Sequence, residues 1–115
     1  MSTIDAILVN NLIDVPTTVN VDFSTDSISI SNRHAAFSVQ LNYDNGSSVN
    51  MVVSLEYSND NVFFVAAKNT TITDASGMVF FDIVDTGATY LRVSVTVTTG
   101  SIDVQKILYR GKKAH

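Results

Sequence analysis

Hydrophobic and polar residues alternate along most of the chain from residue 17 onward. Apolar residues at every second position indicate strands that bury one face and expose the other. About eight such segments, with turn residues every eight to twelve positions, predict an all-β fold: a two-sheet antiparallel β-sandwich of jelly-roll type. The runs lie at residues 19–23, 28–30, 37–43, 49–57, 63–65, around 72, 79–83, 91–97 and 102–109.

The strongest runs also predict the core, because their in-phase apolar residues must face inward together. Between two of these runs, Asn45-Gly46 predicts a tight hairpin, since this pair readily takes the positive φ of a type I′ turn. Residues 49–57 are then expected to return along residues 37–43. The predicted core is Phe37, Val39, Leu41, Met51, Val53, Leu55, Phe81, Leu91, Val93 and Val95.

Residues 1–16 have a different pattern. The positions Ile4, Ile7, Leu8, Leu12 and Val15 have helical spacing, but Val9, Asn10, Asn11 and Ile13 between them are poor helix formers. The alternatives are a helix and an extended arm or edge strand, and we prefer the second. A segment this apolar must be buried on its own sandwich or on a neighbour. The predicted division is an N-terminal arm or edge strand over 1–16, a sandwich over 17–110 and a basic tail over 111–115.

Composition agrees with strands, with sixteen Val and nine Ile beside six Leu and one Glu. The 115 residues fit one domain, and the chain has no cysteine for disulfides or thiolate metal sites. Residues 1–105 hold eleven acidic and three basic side chains, a net of −8, whereas residues 106–115 carry four basic ones. An acidic body argues against a nucleic-acid partner. No secretory signal or membrane-spanning stretch is evident, so no membrane partner is expected.

Motifs for catalysis are missing from the sequence. The two histidines are His34 and His115, and the five glycines stand singly in turns. The carboxylates Asp82, Asp85 and Glu56 fall mostly at strand ends, where such residues commonly serve turns. We therefore expect no catalytic residues and no cofactor. A calcium ion at Asn59-Asp60-Asn61 is the weaker alternative, because this tripeptide is ordinary turn chemistry.

Two adjacent aromatic pairs, Phe63-Phe64 and Phe80-Phe81, predict exposed rings, since a regular strand sends one member of each pair outward. An outward Phe can stack on a glycan or pack on a partner chain, and the low charge around these pairs favours partner packing. The predicted protein interface combines such rings with the apolar arm and the basic tail. It comprises Ile4, Ile7, Leu8, Leu12, Ile13, Phe64, Phe80, Arg110, Lys112 and Lys113.

Several segments resemble a known class of proteins. Residues 55–63 carry a Ser-x-Asp-x-x-aromatic pattern, residues 89–93 a Tyr-hydrophobe-Arg-Val strand, and Phe37-Ser38-Val39-Gln40 and Gly111-Lys112 flank them. Over most of residues 20–112 this order resembles small β-sandwich virion proteins of tailed phages, of the head decoration or cement type.

That resemblance implies a multi-copy structural subunit of a virion, made in the host cytoplasm. Its partners would be the major capsid protein or another virion protein, and other copies of itself in a dimer or trimer. The same two motifs also resemble discoidin-like galactose-binding jelly rolls, from which this chain departs by lacking a disulfide and Trp. This second resemblance implies the alternative: a carbohydrate-binding module or a tail or fibre adhesin domain for host attachment.

Overall fold

The fold is all-β, as predicted. The computed structural model describes residues 7–13, 16–29, 34–84 and 88–113, with side chains over 16–29, 37–82 and 88–110. No helix in these ranges is long and apolar enough to cross a membrane. The strands described are β1 (Ile7–Ile13), β2 (Thr17–Val19), β3 (Phe23–Ser24), β4 (Ile28–Ser29), β5 (His34–Ser58), β6 (Val65–Ile72), β7 (Gly77–Val84) and β8 (Tyr90–Lys113).

The two long strands, β5 and β8, form one antiparallel ladder that runs through the whole molecule. It extends from the pair His34 and Lys113 to the pair Ser58 and Tyr90. A straight strand of 25 residues would be about 80 Å long. However, the rings of Phe37 and Tyr57, near opposite ends of β5, have centroids only 6.2 Å apart. The ladder therefore folds back on itself, and its register shifts between Asn42 and Met51 mark the bend.

Each half of the ladder is the centre of a different sheet. Sheet I contains β1 and β2, the second half of β8, the first half of β5, and β7. Sheet II contains β3 and β4, the first half of β8, the second half of β5, and β6. Each sheet is thus four strands wide. Two such sheets, formed when a long antiparallel ladder folds over, are the arrangement of a jelly roll. The predicted two-sheet sandwich is confirmed.

The core lies between the two sheets and contains all ten predicted residues, each at most 5% exposed. Around them pack further buried residues from both sheets: Val19, Tyr43, Val49, Ile72, Val79, Ile102, Val104, Ile107 and Tyr109. Burial raises the pKa of Tyr109 to about 12, because water no longer solvates its phenolate form. The alternation therefore assigned the inward face of the strongest runs correctly, whereas Val21, Phe63 and Val65 in the two short runs 19–23 and 63–65 are exposed.

The predicted hairpin at Asn45-Gly46 is wrong. Residues 37–43 pair with β7 and the end of β8, and residues 51–57 pair with β6 and the start of β8. Asn45 does take a positive φ of 53°, but Gly46, which a type I′ turn would also require at positive φ, does not; on β8, Gly100 lies against Ser47 and Ser48 and takes a positive φ of 86°. Since both strands of the ladder bend together, the chain crosses from one sheet to the other, and the two halves of β5 do not pair with each other as the strands of a hairpin would.

The first and last strands that the structure describes both belong to sheet I. β1 pairs with residues 107–112 of β8 in the same chain, so residues 7–13 form an edge strand and the helical alternative is wrong. β8 continues through Gly111 to Lys113, beyond the predicted end of the sandwich at residue 110. Ile4 lies outside the described residues.

Candidate protein interaction surface

The outer surface of sheet I carries a regular grid of side chains on β7, β5 and β8. Side chains on neighbouring strands that are paired in register share a face, and alternate residues along each strand point the same way. Three rows of three residues result, and we call these nine residues face I. The rows are Met78, Asn42 and Lys106; Phe80, Gln40 and Leu108; and Asp82, Ser38 and Arg110.

Face I combines exposed apolar and cationic side chains. Met78 is 58% and Phe80 51% exposed, and both lie on the edge strand β7. On β8, Lys106 and Arg110 are exposed, and neither forms an ion pair with any part of the chain that the structure describes. Large exposed apolar side chains beside cations without a counter-ion are typical of a surface that binds another protein.

Several residues of the predicted interface come together at sheet I. Phe80 and Arg110 belong to face I itself. Ile7, Leu8, Leu12 and Ile13 fall within β1, which pairs with the same end of β8 that contains Lys112 and Lys113. The contribution of these six residues to an interface stays a prediction. Sequence reasoning missed Met78, Lys106 and Leu108, although their alternate spacing with Phe80 and Arg110 was a readable signal.

The outer surface of sheet II, here face II, is different. Its central residues on β5 and β8 are Val52, Ser54, Glu56, Arg92, Ser94 and Thr96. Arg92 Nε donates to Glu56 Oε1 over 2.6 Å, and the Ser24 hydroxyl donates to Ser94 Oγ over 3.2 Å. Ser54 is only 7% exposed although it points away from the core. Face II is thus largely satisfied by the chain's own side chains.

Phe64 belongs to face II, away from the other predicted interface residues that the structure describes, and its role in an interface stays a prediction. Its ring lies under the Arg92 guanidinium, with 4.0 Å from the guanidinium carbon to the ring centroid. The exposed member of the pair is Phe63, at 81%. Both rings precede β6, which begins at Val65, so strand alternation does not govern them.

A hydrogen-bonded turn positions these two rings. Asp60 Oδ1 accepts the N–H groups of Val62 and Phe63 and the Ser58 hydroxyl, and Ser58 Oγ accepts the N–H groups of Asp60 and Asn61. The bonds from Phe63, Val62 and Ser58 hold the pKa of Asp60 below its ordinary value. The Ser-x-Asp-x-x-aromatic motif is therefore a device for turning the chain.

The neighbouring asparagines are also engaged within the chain. Asn59 Oδ1 accepts the Thr89 N–H over 3.2 Å, and Asn61 Oδ1 accepts the Ser27 hydroxyl. These side-chain oxygens, like those of Asp60, serve as acceptors for protein donors. In the described ranges no group of three or more His, Cys, Asp or Glu residues is arranged to hold a metal ion.

The candidate catalytic carboxylates are not brought together. Glu56 is paired with Arg92 on face II, whereas Asp82 lies on face I, on the opposite side of the sandwich. Asp85 and His115 lie outside the described residues, and of His34 the backbone alone is described. Another acid, Asp103, accepts bonds from the Thr18 hydroxyl and the Asn45 amide, which lower its pKa and secure the bend of the ladder.

Comparison with protein-family models finds no match, and comparison with curated proteins finds none either. Several solved structures share the fold. A chain of the IBDV viral particle has a TM-score of 0.63 at 12% identity, over 95% of this chain and 31% of that one. Bacteriophage CBA120 tailspike protein 4 has a TM-score of 0.58 at 14% identity, over 94% of this chain and 18% of that one. FLHE has a TM-score of 0.57 at 14% identity, over 98% of this chain and 100% of that one.

This chain spans about a third of the IBDV chain and under a fifth of the tailspike chain. At such low identity the likeness shows a shared fold alone, over part of the IBDV and tailspike chains and over the whole of the FLHE chain.

Proposed function

We propose that the chain is a non-enzymatic structural subunit of a virus particle, of the phage capsid decoration or cement type. The observation that carries this proposal is face I, where exposed Met78 and Phe80 lie beside Lys106 and Arg110 without counter-ions among the described residues. A flat, rigid sheet with such a surface is suited to association with other subunits. The shared fold with a chain of a viral particle adds support.

The mechanism would be stabilisation by binding. A subunit that binds an assembled shell, and not its free components, shifts the equilibrium toward the shell by mass action. The sandwich suits this role because its ladder passes through both sheets and makes them one rigid body. A partner of face I, whether another virion protein or a second copy of this chain, would present apolar and acidic groups, since these complement Phe80, Met78, Lys106 and Arg110.

The direct test is detection of the chain in virus particles purified by density gradient from its host. We expect a multi-copy component that co-sediments with intact shells, and particles lacking it should release their genome at a lower temperature. Phe80→Ser should reduce its incorporation, whereas the matched loop variant Phe63→Ser should not. A chain found only outside purified particles would refute the proposal.

A second candidate, glycan binding by a tail or fibre domain, is favoured by one observation. Phe63 is 81% exposed on a polar turn next to Asn61 and Asp60, and exposed rings stack on sugars. Isothermal titration against host surface glycans would test it. Binding that Phe63→Ser removes and Phe80→Ser leaves intact would support this candidate over the decoration role.

A further inference from the structure

We infer that face I pairs with face I of a second copy of this chain, about a two-fold axis parallel to the strands. The inference rests on the proposed function, since it names the partner of one surface of a subunit that works by association. It comes from the order of residues across the grid, which is complementary to itself.

A two-fold axis that runs along the middle strand, β5, reverses the order of the columns and keeps the rows. Column β7 of one copy then lies over column β8 of the other. In the central row the exposed Phe80 meets the partly exposed Leu108 of the second copy, so two apolar side chains cover each other. The operation repeats this contact, because an isologous interface contains every pair twice.

The outer rows are complementary as well. Asp82 meets Arg110 of the second copy, and Met78 meets Lys106, whose aliphatic stem can pack on a thioether side chain. Within one chain Asp82 and Arg110 are two strand spacings apart, about 10 Å, and they form no ion pair. A second copy would therefore give each of these two side chains an ion-pair partner, which neither has among the described residues. The middle column offers the Gln40 and Asn42 side chains, which already hydrogen-bond each other.

Two other surfaces of the described chain, face II and the β6 edge, offer a second copy less charge complementarity. Face II has its ion pair and its ring stacking internally. The edge strand β6 places Lys68 opposite the buried Leu55, and Lys68 Nζ reaches the backbone carbonyl of Asp82 on β7 at 3.5 Å. An inward lysine on an edge strand opposes strand-to-strand pairing with another chain.

The pairing should be weak in solution. Face I is three strands wide and about six residues long, so it covers roughly 300 Å² per subunit. A stable complex buries about 800 Å² per partner. We therefore expect a dimer that forms at high micromolar concentration. Such an interface becomes effective when many copies are held close together on a shell, where the effective concentration is high.

Charge exchange across the third row is the decisive experiment. Sedimentation velocity over about 10 µM to 1 mM protein would compare wild type with Asp82→Arg, Arg110→Asp and the double variant. Each single variant places like charges together twice in the dimer, and we expect about tenfold weaker association or more. The double variant restores opposite charges and should return to within about threefold of wild type.

Controls separate the pairing from general effects. Asp26→Arg makes the same change of charge at an exposed residue outside face I and should leave association unchanged. Phe80→Ser should abolish dimers, whereas Phe63→Ser should not. Circular dichroism and thermal melting verify that each variant is folded. A wild type that stays monomeric to 1 mM, or a double variant no tighter than the single ones, would overturn the inference.

The two proposals fail separately. A protein that is monomeric in solution but present in purified particles would refute the pairing and leave the structural role intact. A protein whose dimer responds to charge exchange as expected, but which is missing from particles, would refute the structural role and leave the pairing.

Discussion

The two outer faces of the sandwich derive from the same two strands and yet differ in chemistry. On face II, Glu56 and Arg92 occupy paired positions on β5 and β8, and the Arg92 guanidinium stacks on the Phe64 ring. On face I, the corresponding half of the ladder pairs Ser38 with Arg110 and Asn42 with Lys106, so neither cation meets an acid. One face has its ion pair within the chain, whereas the two cations of the other have no ion-pair partner among the described residues.

The comparison teaches that exposure of an aromatic ring alone does not identify a binding surface. Phe63 is more exposed than Phe80, but it belongs to a turn held by its own hydrogen bonds. Phe80 has a lower exposure and lies on β7, on the same face as Lys106 and Arg110, which have no ion-pair partner among the described residues. Variants in the core and the bend, which both faces share, should have the largest effects, and variants within one face should have smaller ones.

The largest effect is expected in the core that both faces share. Leu91 is fully buried at the centre of the first half of β8, and Leu91→Ala should lower the free energy of unfolding by about 2–5 kcal/mol through lost burial and a cavity. Urea denaturation measures it. Met78→Ala on face I should stay within about 0.5 kcal/mol. A cost under about 1 kcal/mol for Leu91→Ala would contradict the packing.

The next effect concerns the bend that makes two faces from one ladder. A Cβ at Gly46 would lie 2.6 Å from Val49 Cγ2 and 2.8 Å from the backbone of Ala75, and the Gly46 N–H donates to the Ala75 carbonyl over 2.8 Å. We expect Gly46→Ala to cost about 1–3 kcal/mol by overpacking.

Gly77→Ala is the matched control for Gly46→Ala, because the nearest atom to its Cβ is the terminal oxygen of the Tyr43 side chain, at 3.1 Å. Equal losses of stability by thermal melting in the two variants would show that the close approach at the bend is not special.

A smaller effect tests the internal satisfaction of face II. The Glu56 and Arg92 side chains are 17% and 31% exposed, so their ion pair is partly shielded from water. Arg92→Ala should cost about 1–2 kcal/mol, because it removes a charged hydrogen bond and the ring contact with Phe64. Lys106→Ala on face I should cost almost nothing. A double-mutant cycle with Glu56→Ala should give a coupling near 1 kcal/mol, and zero coupling would refute the pairing.

The smallest effect is a pH dependence of the turn beside face II. The folded pKa of Asp60 lies below its ordinary value of 3.8, so its contribution is present above that value and lost as the pH falls through the lower, folded pKa. Asp60→Asn should flatten the acid side of a plot of stability against pH. An unchanged acid limb in that variant would show that other carboxylates determine it.

Sequence reasoning succeeded for the positions that depend on local pattern. Phe37, Leu41 and Val93 were placed in the core because alternation with period two needs no knowledge of which strands pair. It failed at Asn45-Gly46, where the positive φ of Asn45 was foreseen but the pairing of the flanking segments with other strands was not. A turn residue determines how the backbone bends locally. Whether the two flanking segments pair with each other or enter different sheets depends on the other strands with which they pair.

The sequence by itself determined the all-β class, the inward face of each main strand and the conformations available at its turns, because these follow from neighbours a few residues apart. Only the tertiary structure decided that residues 36–44 and 50–58 belong to different sheets and that residues 90–113 accompany both. The grid of Phe80, Leu108 and Arg110, and the closure of Phe64 over Arg92, depend on that register. Partners in these contacts are up to about 70 residues apart along the chain, and no local periodicity encodes such pairings.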